Sequence, residues 1–152
     1  MRSLTLMVAT VGGVGNLPLA PGTFGSLVVV PLLPSLAALR DAAPPVYALA
    51  VAALVAVAIW SAGRAEELLG GHDHSRIVVD EVAGMVVAGA WLPGTWGAAG
   101  VAFLLFRLFD VLKPFPAGFI DGRVEGGFGV VGDDLVAGLY AGVATRLLLG
   151  VV

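Results

Sequence analysis

The sequence predicts an all-α fold: a small multi-helix bundle in a membrane, with short or interrupted transmembrane helices. The first supporting observation is composition. Hydrophobic residues make up 59% of the 152 residues and charged residues only 12%, against about 25% in ordinary soluble domains. The second is that long runs of the chain carry no charge. So few charges cannot cover a water-soluble body of this size, and the length favours a single membrane-embedded domain over residues 1–152.

Composition also excludes several classes of protein. The net charge of −3 argues against a nucleic-acid partner, because binding to phosphate backbones needs a basic surface. With no cysteine in the chain, disulfide frameworks, zinc ribbons and thiol nucleophiles are excluded together. His72, Asp73 and His74 lie in a glycine-flanked loop without the spacing of a zinc motif, so we predict a solvated turn there.

The charge-free runs define the predicted helices. The first helix is predicted over 24–39, after a Gly- and Pro-rich loop, with kinks at Pro31 and Pro34. The second is predicted over 46–62, which is short for crossing about 30 Å of hydrocarbon. The last apolar run is 135–152. These lengths are the reason for expecting short or interrupted spans.

A further apolar run, 82–106, is interrupted midway by Pro93 and Gly94. A single span would put the acidic residues 80–81 and Asp110 on opposite sides of the membrane, whereas a turn would return them to one face. Pro-Gly is a strong turn signal. We therefore predict a helical hairpin, with a kinked single span as the alternative.

The predicted hairpin gives the charges a marked asymmetry. Arg40 and Asp41 lie on one face, Arg146 lies within the last apolar run, and every other charged residue lies on the opposite face. Such an excess of arginine and lysine is typical of the cytoplasmic side of a membrane protein. The polar chemistry is therefore predicted to face the cytoplasm.

Two pairs of adjacent acids are candidate metal ligands. Asp80 and Glu81 enter one apolar run, and Asp133 and Asp134 directly precede another. Helix capping explains one carboxylate of each pair better than it explains two. Carboxylate oxygens in this number suit Mg²⁺, which prefers oxygen ligands.

Basic residues beside a third acid are candidates for holding phosphate. Arg107, Asp110 and Lys113 are spaced three apart, so Asp110 can pair with either neighbour on a helix. Arg107 and Lys113 could hold phosphate oxygens, although a solvated ladder of ion pairs at the membrane edge is the alternative. The loop 17–26 is rich in glycine and proline, and amides at the start of the helix that follows it would favour an anion.

Together these groups indicate metal-assisted hydrolysis of a phosphate ester at the membrane surface. The alternative is a small transport or ion-coupling protein, because carboxylates within membranes often mark ion pathways. Against transport, the acids cluster at one end of the apolar runs. The residues alone leave open which carboxylate binds metal and which acts as a base.

Four segments in order resemble the phosphatidylglycerophosphatase A family of bacterial lipid phosphatases: LPLAPGTFGSL, IVVDEVAG, FRLFDVLKPFP and GGFGVVGDDLVAGLYA. The resemblance runs from about Gly15 to Ala141. It implies an all-helical fold, dependence on Mg²⁺, and hydrolysis of phosphatidylglycerophosphate to phosphatidylglycerol and phosphate. It also implies a bacterial inner-membrane, multi-pass protein whose active face is cytoplasmic. A small body with short helices is compatible with a homodimer.

The resemblance assigns expected roles to nine residues of this chain. The expected catalytic carboxylates are Asp80, Glu81, Asp110, Asp133 and Asp134. All of these except Asp110 are also the expected Mg²⁺ ligands. The expected substrate-binding residues, from the A-P-G-T-x-G-S loop and the R-x-F-D-x-x-K-P segment, are Thr23, Ser26, Arg107 and Lys113.

Overall fold

A computed structural model describes residues 2–70 and 74–150, and the regular structure within them is helical. The predicted all-α class is therefore confirmed. Two short 3₁₀ helices, Val14–Asn16 and Val30–Leu32, accompany the α-helices. The α-helices are α1 (Arg2–Ala9), α2 (Pro21–Val29), α3 (Leu33–Ala42), α4 (Pro44–Leu69), α5 (Val79–Ala88), α6 (Trp96–Leu112), α7 (Ala117–Arg123) and α8 (Gly126–Leu149).

Three helical segments of the described chain are long and apolar enough to cross a membrane: Pro21–Ala42, Pro44–Leu69 and Gly126–Leu149. The first is the composite of α2 and α3, joined by the 3₁₀ turn that contains Pro31. This interruption was predicted from the two prolines. The helix begins at Pro21 rather than at residue 24, because proline fits the first helical position, where its missing N–H is not needed.

The predicted hairpin is confirmed, and the kinked single span is wrong. Helices α5 and α6 are joined by a turn over residues 89–95. Arg40 of α3 donates hydrogen bonds to the carbonyls of Ala90 and Leu92, at 3.2 and 2.9 Å. Arg146 of α8 donates to the carbonyl of Trp91 at 3.3 Å. Two arginines thus satisfy backbone oxygens of the turn, which is at the opposite end of the hairpin from the acids.

Helices α4 and α8 are longer than the apolar runs indicated. Helix α8 begins at Gly126, so Asp133 and Asp134 lie inside it and do not cap it. Glycine is a poor helix former, but here it permits close packing between helices. A Cβ on Gly127 would overlap the carbonyl oxygen of Ile59 in α4, and one on Gly138 would overlap that of Gly84 in α5. Tertiary packing therefore outweighs the unfavourable propensity of the glycine-rich segment.

Candidate active site

Three carboxylates from two helices converge inside the protein. Asp80 and Glu81 lie in the first turn of α5, and Asp134 lies within α8. Oxygens from these three side chains lie within 4.8 Å of one another. Oε2 of Glu81 and Oδ2 of Asp134 are buried and make no hydrogen bond with the described residues. Two buried acceptor atoms are therefore left for a ligand that the protein itself does not supply.

The close packing of α5 on α8 brings these acids together. A Cβ on Gly84 would lie 2.6 Å from the backbone oxygen of Asp134, so only glycine lets the two helices approach at this level. On the other side, a Cβ on Gly22 would overlap Oε1 of Glu81. Gly22 thus allows the first turn of α2 to lie directly against the carboxylate cluster.

Arg107 joins the cluster from α6. Its Nη1 lies 2.6 Å from Oδ2 of Asp110 and 3.9 Å from Oε1 of Glu81. The same nitrogen donates a hydrogen bond of 3.4 Å to Oγ of Ser26. Ser26 is buried, and its hydroxyl donates to the carbonyl of Gly22 at 2.8 Å. Arg107 and Ser26, two of the predicted substrate-binding residues, therefore lie beside the acids. Asp110 pairs with Arg107 rather than with Lys113.

Lys113 forms a second group of charges beside the first. Its Nζ lies 2.6 Å from Oδ1 of Asp121 in α7 and 2.8 Å from Oδ2 of Asp133 in α8. Burial disfavours the ammonium, but the hydrogen bonds and charges of the two aspartates outweigh it and raise the pKa of Lys113. Asp133 thus lies outside the three-carboxylate cluster, and its role as a metal ligand stays a prediction.

One residue of the site, Asp121, has no signal in the sequence motifs. It lies between two of the four segments, and only the fold of α7 places it against Lys113. Gly22 belongs to the A-P-G-T-x-G-S segment, but its contact with Glu81 follows from helix packing. Thr23 lies beside Gly22 in the first turn of α2 and is half-buried.

The predicted solvated turn at residues 72–74 lies mostly outside the described residues. Of its three members only His74 is described, and its Nδ1 accepts a hydrogen bond from the backbone N–H of Arg76 at 3.3 Å. Side-chain capping of this kind is typical of a turn. His74 is also only half-buried.

Negative charge is in excess around the cluster. Within the described residues, Arg107 is the basic side chain that pairs with this group of acids, through Glu81 and Asp110, since Lys113 is already bound by two further aspartates. Burial is the main cause that raises the pKa of Glu81, and the charge of Asp110 adds to it. A divalent cation would offset the repulsion between the carboxylates, and it would bind the carboxylate oxygens that accept no hydrogen bond. The residues therefore fit a metal ion bound through carboxylate oxygens.

The fold and the site together define a helical membrane protein with an acidic centre that could hold a cation and that is flanked by basic side chains. This is the arrangement that metal-assisted phosphate chemistry needs. The chain belongs to the phosphatidylglycerophosphatase A family, whose model matches residues 7–149. The family consists of phosphoric monoester hydrolases, so this protein is an enzyme of that class.

The chain is similar in sequence to three bacterial proteins. Phosphatidylglycerophosphatase A of Haemophilus influenzae is 35% identical over 85% of this chain and 78% of its own length. The protein of the same name from Escherichia coli is 36% identical over 85% and 74%. A protein of Bacteroides thetaiotaomicron with the provisional name phosphatidylinositol-3-phosphatase is 35% identical over 91% and 89%. No solved structure gives a significant match.

Proposed function

We propose that the protein hydrolyses the phosphate monoester of phosphatidylglycerophosphate, in a reaction that depends on Mg²⁺ and yields phosphatidylglycerol and phosphate. The observation that carries the proposal is the cluster of Asp80, Glu81 and Asp134, with its buried unsatisfied oxygens. The names of the Haemophilus and Escherichia relatives support the substrate. The three apolar segments support a lipid substrate met at a membrane.

In this proposal Asp80, Glu81 and Asp134 hold the metal. Asp133 is the fourth predicted ligand, and its Oδ1 is also buried without a hydrogen bond from the described residues. Bound Mg²⁺ would neutralise charge on the phosphate and lower the pKa of a bound water. The N-terminus of α5 adds a favourable partial positive charge beside the first two acids.

The basic residues supply the second part of the mechanism. Arg107 can turn guanidinium N–H groups toward phosphate oxygens while Asp110 holds it from one side. Ser26, hydrogen-bonded to both Arg107 and the carbonyl of Gly22, keeps the start of α2 against this guanidinium. Lys113, oriented by Asp121 and Asp133, is a fixed positive charge at the edge of the site. In this proposal Thr23, in the first turn of α2, also binds the phosphate.

A panel of lipids tests the proposed substrate. The purified full-length protein is given phosphatidylglycerophosphate, phosphatidic acid and phosphatidylinositol 3-phosphate in matched mixed micelles with Mg²⁺, and released phosphate is measured. Among the three lipids, we expect phosphatidylglycerophosphate to have the highest kcat/KM. Faster turnover of the inositol lipid would favour the activity for which the Bacteroides relative is named, and no release from any lipid would contradict a lipid phosphatase.

Replacing Gly22 by alanine should lower kcat/KM at least about tenfold, because it would displace catalytic groups and a misplacement of about 1 Å can lower the rate about a hundredfold. The added Cβ would overlap Oε1 of Glu81 and lie 3.3 Å from Nη1 of Arg107. Gly97→Ala is the matched control, because a Cβ there meets no atom within 4 Å. Full activity in Gly22→Ala would show that the close approach of α2 to the acids has no catalytic importance.

The proposed site faces the cytoplasm of a bacterial inner membrane, and cysteine labelling tests this. Because the chain has no cysteine, Ser75→Cys and Gly122→Cys can be introduced singly at exposed positions near the site. Ala42→Cys reports the opposite end of the bundle. A membrane-impermeant thiol reagent applied to intact spheroplasts should label only the cysteine at 42. Labelling of the cysteine at 75 or 122 from outside would contradict the proposed orientation.

A further inference from the structure

An apolar groove begins beside the polar site and runs along α8. It has a volume of about 450 Å³, and its lining includes Phe109, Pro114, Tyr140, Ala144 and Leu147. This size falls within the range of small-molecule sites. The lining along α8 spans about 10 Å, given a rise of 1.5 Å per residue. The groove therefore extends along about two turns of α8.

The groove exists because the chain reverses direction after α6. Lys113 ends that helix in a left-handed conformation, and the segment after it folds back across α8. The hydroxyl of Tyr140 donates a hydrogen bond of 2.8 Å to the carbonyl of Phe115, and its ring contacts Phe109 edge-on at 5.8 Å. These two contacts hold Tyr140 at the base of the groove. Without the returning segment, the surface of α8 would be convex here.

The groove lies next to residues of the proposed phosphate site. Two of its lining residues, Phe109 and Pro114, are the chain neighbours of Asp110 and Lys113. Helix α8 carries Asp134 in the polar cluster and the groove residues about two to three and a half turns further along. A molecule with a phosphate at one end and a hydrocarbon chain at the other therefore matches the polar site and the groove together.

We infer that this groove binds a fatty acyl chain of the lipid substrate while the phosphate is at the carboxylate cluster. The inference rests on the proposed function for the identity of the headgroup. Burial of methylene groups in the groove contributes binding energy remote from the reacting phosphate, and it fixes the ester in front of the metal ligands. The groove residues are thus determinants of specificity for diacyl over water-soluble phosphate esters.

Filling the groove tests the inference. Ala144→Trp should lower the ratio of kcat/KM for diacyl phosphatidylglycerophosphate to kcat/KM for its deacylated headgroup, at least about tenfold, as expected when contacts to several methylenes are lost. Ala56→Trp is the matched control, because Ala56 is exposed on the outer face of α4, away from the groove. A ratio that is the same for Ala144→Trp, Ala56→Trp and the natural protein would overturn the inference.

Photolabelling tests the groove without turnover, and so separates it from the proposed reaction. The natural protein in phosphatidylcholine nanodiscs is irradiated with a diacylglycerol phosphonate that carries a diazirine in one acyl chain. Adducts should concentrate on residues 140–147 and be competed by unlabelled phosphonate lipid but not by phosphatidylcholine. Adducts spread evenly over the apolar helices would show that the probe reacts from the surrounding lipid and not from a specific site. Adducts that avoid the groove would mean another occupant, such as a second copy of the chain, and either result overturns the inference.

Discussion

Replacing Asp134 by asparagine should lower kcat at least about a thousandfold, because several kcal/mol of metal-derived stabilisation of the transition state would be lost. Asp134 is buried, and its Oδ2 makes no hydrogen bond within the described residues. Asparagine keeps the size of the side chain, removes its charge and replaces one acceptor oxygen by an NH₂ donor. Phosphate release from phosphatidylglycerophosphate at saturating Mg²⁺ measures the effect.

Thermal unfolding separates this catalytic role from a structural one. The natural protein should gain stability when Mg²⁺ is added, since a ligand that binds only the folded state raises Tm. Asp134→Asn should lose this gain, yet be at least as stable as the natural protein without metal, because one of the crowded negative charges is gone. Asp41→Asn, an exposed position at the other end of the bundle, should behave like the natural protein. Normal turnover in Asp134→Asn would show that the acid is only structural.

Replacing Arg107 by lysine should lower kcat/KM by about 30- to 150-fold, which corresponds to roughly 2–3 kcal/mol for a lost charge-assisted hydrogen bond in the transition state. A planar guanidinium can donate to Asp110 and to phosphate at once, which an ammonium cannot reproduce with the same geometry. Steady-state kinetics of the purified variants measure the loss.

Arg64→Lys is the control for this substitution, because the ion pair that Arg64 makes among the described residues is an exposed one with Glu67. It should leave kcat/KM unchanged. If Arg107 served only to pair with Asp110, lysine would preserve the charge pair and the rate would fall by only a small factor. Equal rates for Arg107→Lys and Arg64→Lys would therefore reject the contact between Arg107 and phosphate.

The class of fold and the hairpin could be predicted because both depend on local signals. Lack of charge marks the apolar helices, and the Pro93-Gly94 dipeptide marks the turn. The start of α8 could not be predicted in this way. Its first residues, Gly126 and Gly127, are unfavourable in an isolated helix. Here Gly126 adopts a left-handed φ of 73°, which glycine does readily, and Gly127 lets α4 pack so closely that a side chain there would not fit.

The candidate site could be predicted as a set of residues but not as a geometry. The acids and basic residues were identified from motifs, whereas their pairing depends on which helix faces meet. Asp110 could have paired with Arg107 or Lys113, and α7 decides this by placing Asp121 against Lys113. Asp133 and Asp134 are adjacent in sequence and therefore point about 100° apart around α8. The carboxylate of Asp134 lies in the cluster with Asp80 and Glu81, whereas the carboxylate of Asp133 contacts Lys113.

Metal dependence tests the central claim most directly. The purified full-length protein is treated with EDTA, exchanged into metal-free buffer, and assayed for phosphate release from phosphatidylglycerophosphate as Mg²⁺ is added back. If Asp80, Glu81 and Asp134 form the metal centre of a lipid phosphatase, activity is lost with EDTA and returns with Mg²⁺ in a saturable way. Undiminished phosphate release in the presence of EDTA would contradict the account.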